Sequence, residues 1–283
     1  MLPVALVLPQ LLLTFFFFLW PAGQAVWASF TRQDPFGIRT QFVGFENFTD
    51  LFEDPLYVES MGRTVVFSGS VTVVAMLVAL CLALFADREI RGRNIYRTLL
   101  IWPYAVAPAI SAVLWILLLH PQIGAFSHVL RMLGIGWDYK INSTQAMLVV
   151  VLASAWKQVS YNFIFFLAGL QSIPRSVIEA ARMDGARGWR RLRTITLPLL
   201  APTTFFLLIV NFVYSAFDTF GTIQALTQGG PGKATETLMV KVYRDGVVNL
   251  NLGSSSAQSV VLMVAIIALT VVQSRFLNRK NAE

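Results

Sequence analysis

Charge is scarce in this sequence. Of its 283 residues, 13% are Asp, Glu, Lys or Arg and 56% are hydrophobic, whereas soluble domains carry roughly 25% charged residues. The balance excludes an ordinary soluble domain. Cysteine is almost absent: Cys81 stands alone inside an apolar run, so neither an intrachain disulfide nor a cysteine metal site can form. The only histidines, His120 and His128, have no adjacent carboxylates, which argues against a metal centre. No His-Glu metal motif and no nucleophile–base pair stands out, so a membrane-embedded enzyme is disfavoured. The phosphate-binding loop G-x-x-x-x-G-K-[ST] is missing as well. The chain therefore has no such route to ATP. Segments of about 10 residues with alternating polarity, which a membrane barrel would show, are not seen either.

What the sequence does have is long apolar runs. Six of them, at about 3–28, 64–86, 98–119, 146–171, 199–221 and 259–276, are each long enough to cross a bilayer. The predicted fold class is therefore an all-α polytopic membrane protein with six transmembrane helices in one domain. The first run exceeds the apolar core of a signal peptide and is not preceded by Lys or Arg. It is read as a retained helix, and the missing basic stretch points to a start upstream of Met1.

The net charge of +7 is explained by topology rather than by nucleic acid. Arg88, Arg91, Arg93, Arg97, Arg175, Arg182, Arg187, Arg190, Arg191, Arg193, Arg275, Arg279 and Lys280 fall on one side of the six runs. The other side holds the smaller set Arg32, Arg39, Arg131, Lys140, Lys233, Lys241 and Arg244. The positive-inside rule places the first set, and both termini, in the cytoplasm. The opposite loops are richer in acid (Asp34, Glu46, Asp50, Glu53, Asp54, Glu59). Arg63 falls at the outer end of the second run, where it can snorkel.

The segment 173–198 is a polar island between the fourth and fifth runs. Ser172 or Ser176 can cap a helix there, Pro174 suits its first turn, and Ser176 with Glu179 fits a capping box. Ala180, Ala181, Met183 and Ala186 form a small-residue face. Asp184-Gly185 ends the helix, Gly185 being free to take positive φ. Trp189, Leu192 and Ile195 predict a second short amphipathic helix, and Pro198 and Pro202 mark the return to the membrane.

The spacing of Glu179-Ala180-Ala181, Gly185 and Ile195-x-Leu197-Pro198 resembles the EAA loop of ABC-importer permeases. The six runs, WKQVSYNF and TQGGPGKATETL extend the likeness over nearly the whole chain to the MalF-type permeases of carbohydrate importers. More narrowly, WPAGQAVWASFTRQDPFG, FVGFENFTDLF, WPYAVAPAISAVLW, LQSIPRSVIEAARMDGA and SSSAQSVVLM resemble the permeases of bacterial sn-glycerol-3-phosphate importers. The resemblance implies a type I importer permease in the inner membrane that catalyses nothing itself. Its partners would be a second homologous permease, two ATP-binding cassette subunits and an extracytoplasmic binding protein or lipoprotein. No cofactor would be bound by this chain, ATP and Mg being held by the cassettes. Glu179, Ala180, Ala181, Asp184, Gly185, Ile195, Leu197 and Pro198 would couple it to the ATPase. The Gly229-Gly230-Pro231-Gly232 turn and residues 34–52 would meet the binding protein.

Polar residues inside the runs remain. A Lys or Asp costs about 2.5–3.5 kcal/mol at a helix centre, and such residues usually face a bundle interior or wet cavity. Lys157, Gln158, Tyr161 and Asn162 form one broad face of the fourth run. Asn211, Tyr214, Ser215 and Asp218 recur at helical spacing in the fifth, followed by Thr219. Two readings stand side by side: Lys157 pairs with Asp218 while the amides join helices, or these residues line the substrate pathway. The family resemblance supports the second. Lys157 could then meet a phosphate, with Trp156, Tyr161 and Tyr214 against a sugar face or a choline ammonium, making glycerol-3-phosphate or glycerophosphodiesters such as glycerophosphocholine the expected cargo. Maltose- or trehalose-type oligosaccharides are the alternative. An ion-coupled secondary transporter would need a coupling-ion site, and commonly inverted repeats, and neither is evident.

Overall fold

The computed structural model describes residues 2–34, 39–87 and 93–280. Arg88 and Arg91 of the basic set, and Pro35, Phe36 and Gly37 of the first quoted segment, lie outside the described residues. The described chain is predominantly helical, with a single two-stranded hairpin. Four helices are long and apolar enough to cross a membrane: Val7–Ser29, Pro55–Ala86, Ser143–Gln171 and Leu252–Arg275. Two bent pairs, Ile95–Ala105 with Ile110–Leu119 and Gly188–Leu199 with Ala201–Phe217, bring the number of spans to six if each pair counts as one.

Several boundaries differ from the sequence expectation for physical reasons. The third run is not one straight helix but turns by 102°. Ala107, held extended at ψ 141° by the following proline, separates Arg93–Ala105 from Pro108–Leu119. The second helix begins at Pro55, so Arg63 lies within it rather than at its end. The last begins at Leu252, earlier than the apolar run. The fifth run is interrupted at Asp218-Thr219, between Ala201–Phe217 and Phe220–Leu226. Two of the three widened, π-helical turns among the described residues, Phe15–Leu19 and Leu192–Thr196, each close with a bond from the residue just after them back to their first carbonyl. In both, a proline (Pro21, Pro198) follows two residues after the turn. Its missing N–H removes one α-helical bond, and the wide turn absorbs the misfit.

The chain divides into two compact units, Met1–Gly62 with Leu238–Leu269, and Arg63–Thr237 with Thr270–Glu283. In the first, strands Thr31–Gln33 and Thr40–Phe42 pair antiparallel, Arg32 opposite Gln41. Asn47, on helix Glu46–Glu53, donates to the carbonyls of Ser29 and Thr31, both at 2.9 Å. A second tie is ionic. Lys241, on helix Leu238–Tyr243, reaches Asp54 at 3.0 Å and Asp245 at 3.1 Å. Gln258 donates to the same Asp245 and to Ser254 Oγ. Burial alone would lower the Lys241 pKa, but the hydrogen bonds to Asp54 and Asp245 outweigh it and hold the ammonium above its ordinary value.

The second unit is built around Ser143–Gln171. Asn142 caps this helix, its Oδ1 accepting from the amides of Thr144 and Gln145 at 3.0 and 3.1 Å. It packs against Arg93–Ala105, Pro108–Leu119, Ala201–Phe217 and Phe220–Leu226. Phe67, Val71, Ala75, Ala79 and Ala83 form a fully buried stripe at every fourth residue of Pro55–Ala86. Ala79 and Ala83 meet Phe163, Phe166, Leu167, Leu170, Leu200 and Leu207 in one core. In a bilayer, association of helices rests on such close packing of small residues rather than on exclusion of water. Gly169 serves it directly: a Cβ there would lie 2.8 Å from Leu200 Cδ2.

Candidate functional site

Two features of the second unit carry the predicted site residues. The first is a cavity of about 670 Å³. Its wall takes Lys157, Gln158 and Tyr161 from Ser143–Gln171 and Tyr214 and Asp218 from the fifth run, five of the eight residues expected there. Tyr104, Thr270 and Gln273 complete the polar lining, while Ile209, Val210 and Val213 supply the apolar part. Tyr104 and Tyr161 lie ring against ring, centroids 5.7 Å apart.

Lys157 and Asp218 share this cavity but form no ion pair. Among the described residues no carboxylate stands within ion-pair distance of Lys157. The expectation that the two neutralise each other by contact is therefore not met. Asp218 sits at the turn where Ala201–Phe217 ends, its amide still bonded to the Tyr214 carbonyl at 2.8 Å.

Asn162, Asn211 and Thr219, expected in the same pathway, are elsewhere. Asn162 Nδ2 donates to Asn211 Oδ1 at 2.9 Å, and Asn211 Nδ2 returns a bond to Asn162 Oδ1 at 2.7 Å while also reaching the Leu207 carbonyl at 2.6 Å. Both asparagines are wholly buried and do not line the cavity. Ser215 and Thr219 bond back to the carbonyls of Asn211 and Ser215. The reason is rotational. At about 100° per residue, the stripe Asn211, Tyr214, Ser215, Asp218 straddles the edge of the cavity face. Tyr214 and Asp218 fall on the open side, Asn211 and Ser215 on the neighbouring helix. The lining residues that sequence reasoning missed had one available signal: Gln273 and Thr270 are polar interruptions of the last apolar run.

The second feature is the island between the fourth and fifth runs. Arg175–Met183 is its main helix. The expected capping box is not formed: Pro174, extended at ψ 136°, occupies the cap position without a side-chain bond, and the Ser172 hydroxyl bonds to Gly169 O instead. Ser176 stands two positions too deep to cap. The other end is as expected. Gly185 takes φ +76°, Ala186 N bonds to Ala181 O and Gly185 N to Arg182 O, at 2.9 and 3.1 Å. This is the double bond pattern that closes a helix through a left-handed glycine. The small-residue face is split: Ala181 and Ala186 are buried, whereas Ala180 is exposed and Met183 is 89% exposed. Val177 joins them, so an apolar row at 177, 180 and 183 faces outward. Glu179, Asp184, Gly185 and Pro198 are exposed and Ile195 and Leu197 half-buried. Trp189, expected to anchor a second amphipathic helix, is 71% exposed. The second short helix is present, running Gly188–Leu199 and widened by the π turn at Leu192–Thr196.

Spans broken at a polar cavity, together with a surface helix showing an unpartnered apolar row, define a membrane transport subunit that works with a further protein. Over residues 1–282 the chain belongs to the family of binding-protein-dependent transport system inner membrane components. It is 59% identical over 279 residues, 99% of this chain and 95% of the relative, to the sn-glycerol-3-phosphate transport system permease protein UgpA of Brucella abortus biovar 1 (strain 9-941). It is 57% identical, with the same coverage, to the protein of that name from Rhizobium meliloti (strain 1021). In fold it is similar to a chain of a bacterial alginate ABC transporter crystallised with its alginate pentasaccharide-bound periplasmic protein, with TM-score 0.83 and 22% identity, covering 98% of this chain and 94% of that one. The all-helical importer-permease fold is therefore present, and the chain is an inner membrane component.

Proposed function

We propose that this chain forms half of the translocation pathway of an ATP-driven importer for sn-glycerol-3-phosphate or glycerophosphodiesters such as glycerophosphocholine. The observation that carries this reading is Lys157, an ammonium within a membrane span, lining a cavity without a contacting carboxylate. Such a cation is costly in a bilayer. A phosphate passing through the cavity would offset the cost as the lysine's transient counter-charge. Gln158, Tyr161, Tyr214 and Gln273 offer hydrogen bonds to glycerol hydroxyls, and Asp218 suits the cationic end of a zwitterionic diester. The names of the 59% and 57% identical relatives support the same class of cargo.

In this reading the subunit hydrolyses nothing and binds no cofactor. Two cassette subunits hold ATP and Mg, a second permease completes the pathway, and an extracytoplasmic binding protein or lipoprotein delivers the solute. The exposed row Val177, Ala180, Met183, with Glu179, Asp184 and Gly185, rests on one cassette. Ile195, Leu197 and Pro198 join it to the fifth span. Both termini and this segment lie in the cytoplasm. The test is uptake into proteoliposomes containing the complete importer. Lys157→Gln removes one charge-assisted bond to phosphate, about 1.5–3 kcal/mol, and lowers glycerol-3-phosphate transport about 10- to 100-fold, with the binding protein's own affinity unchanged. Unaltered transport in that variant refutes the role given to Lys157.

A further inference from the structure

Beside the helix Arg175–Met183 lies a cleft of about 1050 Å³, of whose lining residues the transport cycle described above uses only Glu179. Four arginines line it: Arg97, Arg175, Arg182 and Arg191. Asp87 and Glu179 line it too, yet none of the four guanidinium groups forms an ion pair with a carboxylate among the described residues. Arg97 is half-buried. Among the described residues its one hydrogen bond is a long one, Nη2 to the Ala86 carbonyl at 3.3 Å, and its Nε is a buried donor with no partner there. A buried charged donor left unbonded is costly and rare. A cavity with an excess of cations and such a donor in its wall is built for an anion.

We propose that this cleft binds a phosphate-bearing anion. Guanidinium forks grip two phosphate oxygens at once, which the lysine side chain does not do, and the cations here are all arginine. Two sources present that chemistry: an anionic phospholipid headgroup entering between the ends of the spans, as basic pockets between membrane helices do, or free phosphate from the water. An acidic segment of the ATPase is the less suited occupant. Arg175, Glu179 and Arg182 fall at i, i+4 and i+7 on the cleft side of their helix, while the exposed apolar row Val177, Ala180, Met183 occupies another face. One helix thus presents a dry face for a protein and a separate cationic face. The anion ties the coupling helix to the ends of the second, third and fourth spans by bridging charges that repel one another when the cleft is empty. The site is independent of which solute the importer carries.

The test uses the complete importer in phosphatidylcholine nanodiscs. One arm measures equilibrium binding of radiolabelled inorganic phosphate, read as the difference between parent and variant so that phosphate held by the ATPase cancels. The other adds cardiolipin to the nanodiscs and counts retained lipid by native mass spectrometry. Saturable binding is expected in at least one arm, and which arm responds names the source. It weakens about tenfold, the loss of one charge-assisted bond, in Arg97→Gln and in Arg191→Gln. In Arg97→Lys, which keeps the charge but loses the fork, binding falls between the parent and Arg97→Gln, and it is unchanged in Arg193→Gln, whose side chain lies outside the cleft. Arg191 stands in the helical segment Gly188–Arg191, none of whose residues is buried, so its variant remains informative if Arg97→Gln fails to assemble. No saturable binding in either arm, or equal loss in Arg193→Gln, overturns the proposal in favour of diffuse surface charge. Protection of Arg97 from phenylglyoxal by the ATPase alone, in anion-free detergent, overturns it in favour of a protein occupant.

Discussion

Replacing the two buried asparagines one at a time should cost unequal amounts, and the inequality follows from the bonding pattern. Asn162→Ala deletes two reciprocal bonds and leaves one orphan, Asn211 Oδ1, because Asn211 Nδ2 keeps the Leu207 carbonyl. Asn211→Ala deletes all three bonds and strands both ends of the Asn162 amide at a fully buried position. A stranded buried polar group costs about 1–3 kcal/mol, and side-chain bonds between membrane helices average about 0.6 with a maximum near 1.7. Taking values in the low half of these ranges, Asn162→Ala should lose about 1–2 kcal/mol and Asn211→Ala about 2–4. The double substitution removes the orphans along with the bonds, so its cost should fall below the sum by about 1–3 kcal/mol. Reversible unfolding of the purified chain in mixed micelles measures all three. Uptake by the assembled importer should keep its preference among phosphate-bearing solutes in each variant that folds. An Asn162→Ala cost equal to or above that of Asn211→Ala, or strict additivity, would refute the amide clamp. A changed solute preference would return the pair to the pathway.

Three further outcomes follow. Gly185→Asp places a side chain at φ +76°, where only glycine is unstrained. It should cost about 1 kcal/mol and leave an inserted protein whose ATPase partner turns over without transport, and full transport in proteoliposomes would sink the coupling role. Lys241→Met takes the ammonium from between Asp54 and Asp245, the latter 15% exposed and still bonded by Gln258 and Asn249; with those bonds kept and Asp54 one-third exposed, the loss should lie at or below the lower end of the about 3–5 kcal/mol typical of a broken buried pair. Because the folded-state pKa of Lys241 is raised, its contribution is complete below the ordinary lysine value and disappears as pH climbs through the folded one. Denaturant midpoints should therefore fall more steeply above pH 10 in the parent than in Lys241→Met. Parallel curves would show that the lysine adds nothing.

Sequence periodicity showed that six runs are apolar enough to span, because a bilayer demands about 20 such residues whatever they pack against. It could not show where a span breaks. Pro108 was visible, but the turn at Ala107 depends on which carbonyls find other donors. Gly185 was legible because a left-handed helix end requires glycine, whereas the capping box at Ser176 was not formed because Pro174 had already taken the cap position. The polar stripe on the fifth run was real, yet its centre and the cavity's centre differ by part of a helical turn. Helical spacing groups residues on a face without saying which neighbour that face meets. Lys241 gave no local signal at all: its partners lie at Asp54, far away in sequence, and at Asp245, a spacing that any surface helix shows.

The placement of the amide pair bears on how a movement at the coupling segment would reach the cavity. The same helix, Ser143–Gln171, carries Lys157 and Tyr161 in its middle and ends just before Arg175–Met183. The helix leaving the island, Ala201–Phe217, carries Tyr214 and reaches the turn at Asp218. Asn162 lies nine residues from Gln171, about 14 Å at about 1.5 Å of rise per residue, and next along the chain to Tyr161 of the cavity wall. A joint at that height ties the two helices together between island and cavity. Displacement of the island would then move both walls together rather than shear Lys157 past Asp218. The proposed cycle requires this, since cargo chemistry split between two independently sliding helices would lose its spacing whenever the ATPase moved the island. In the proposed cycle the pair Asn162–Asn211 would serve transport without touching cargo, so its loss should appear in coupling efficiency, the solute carried per ATP hydrolysed, before it appears in solute preference.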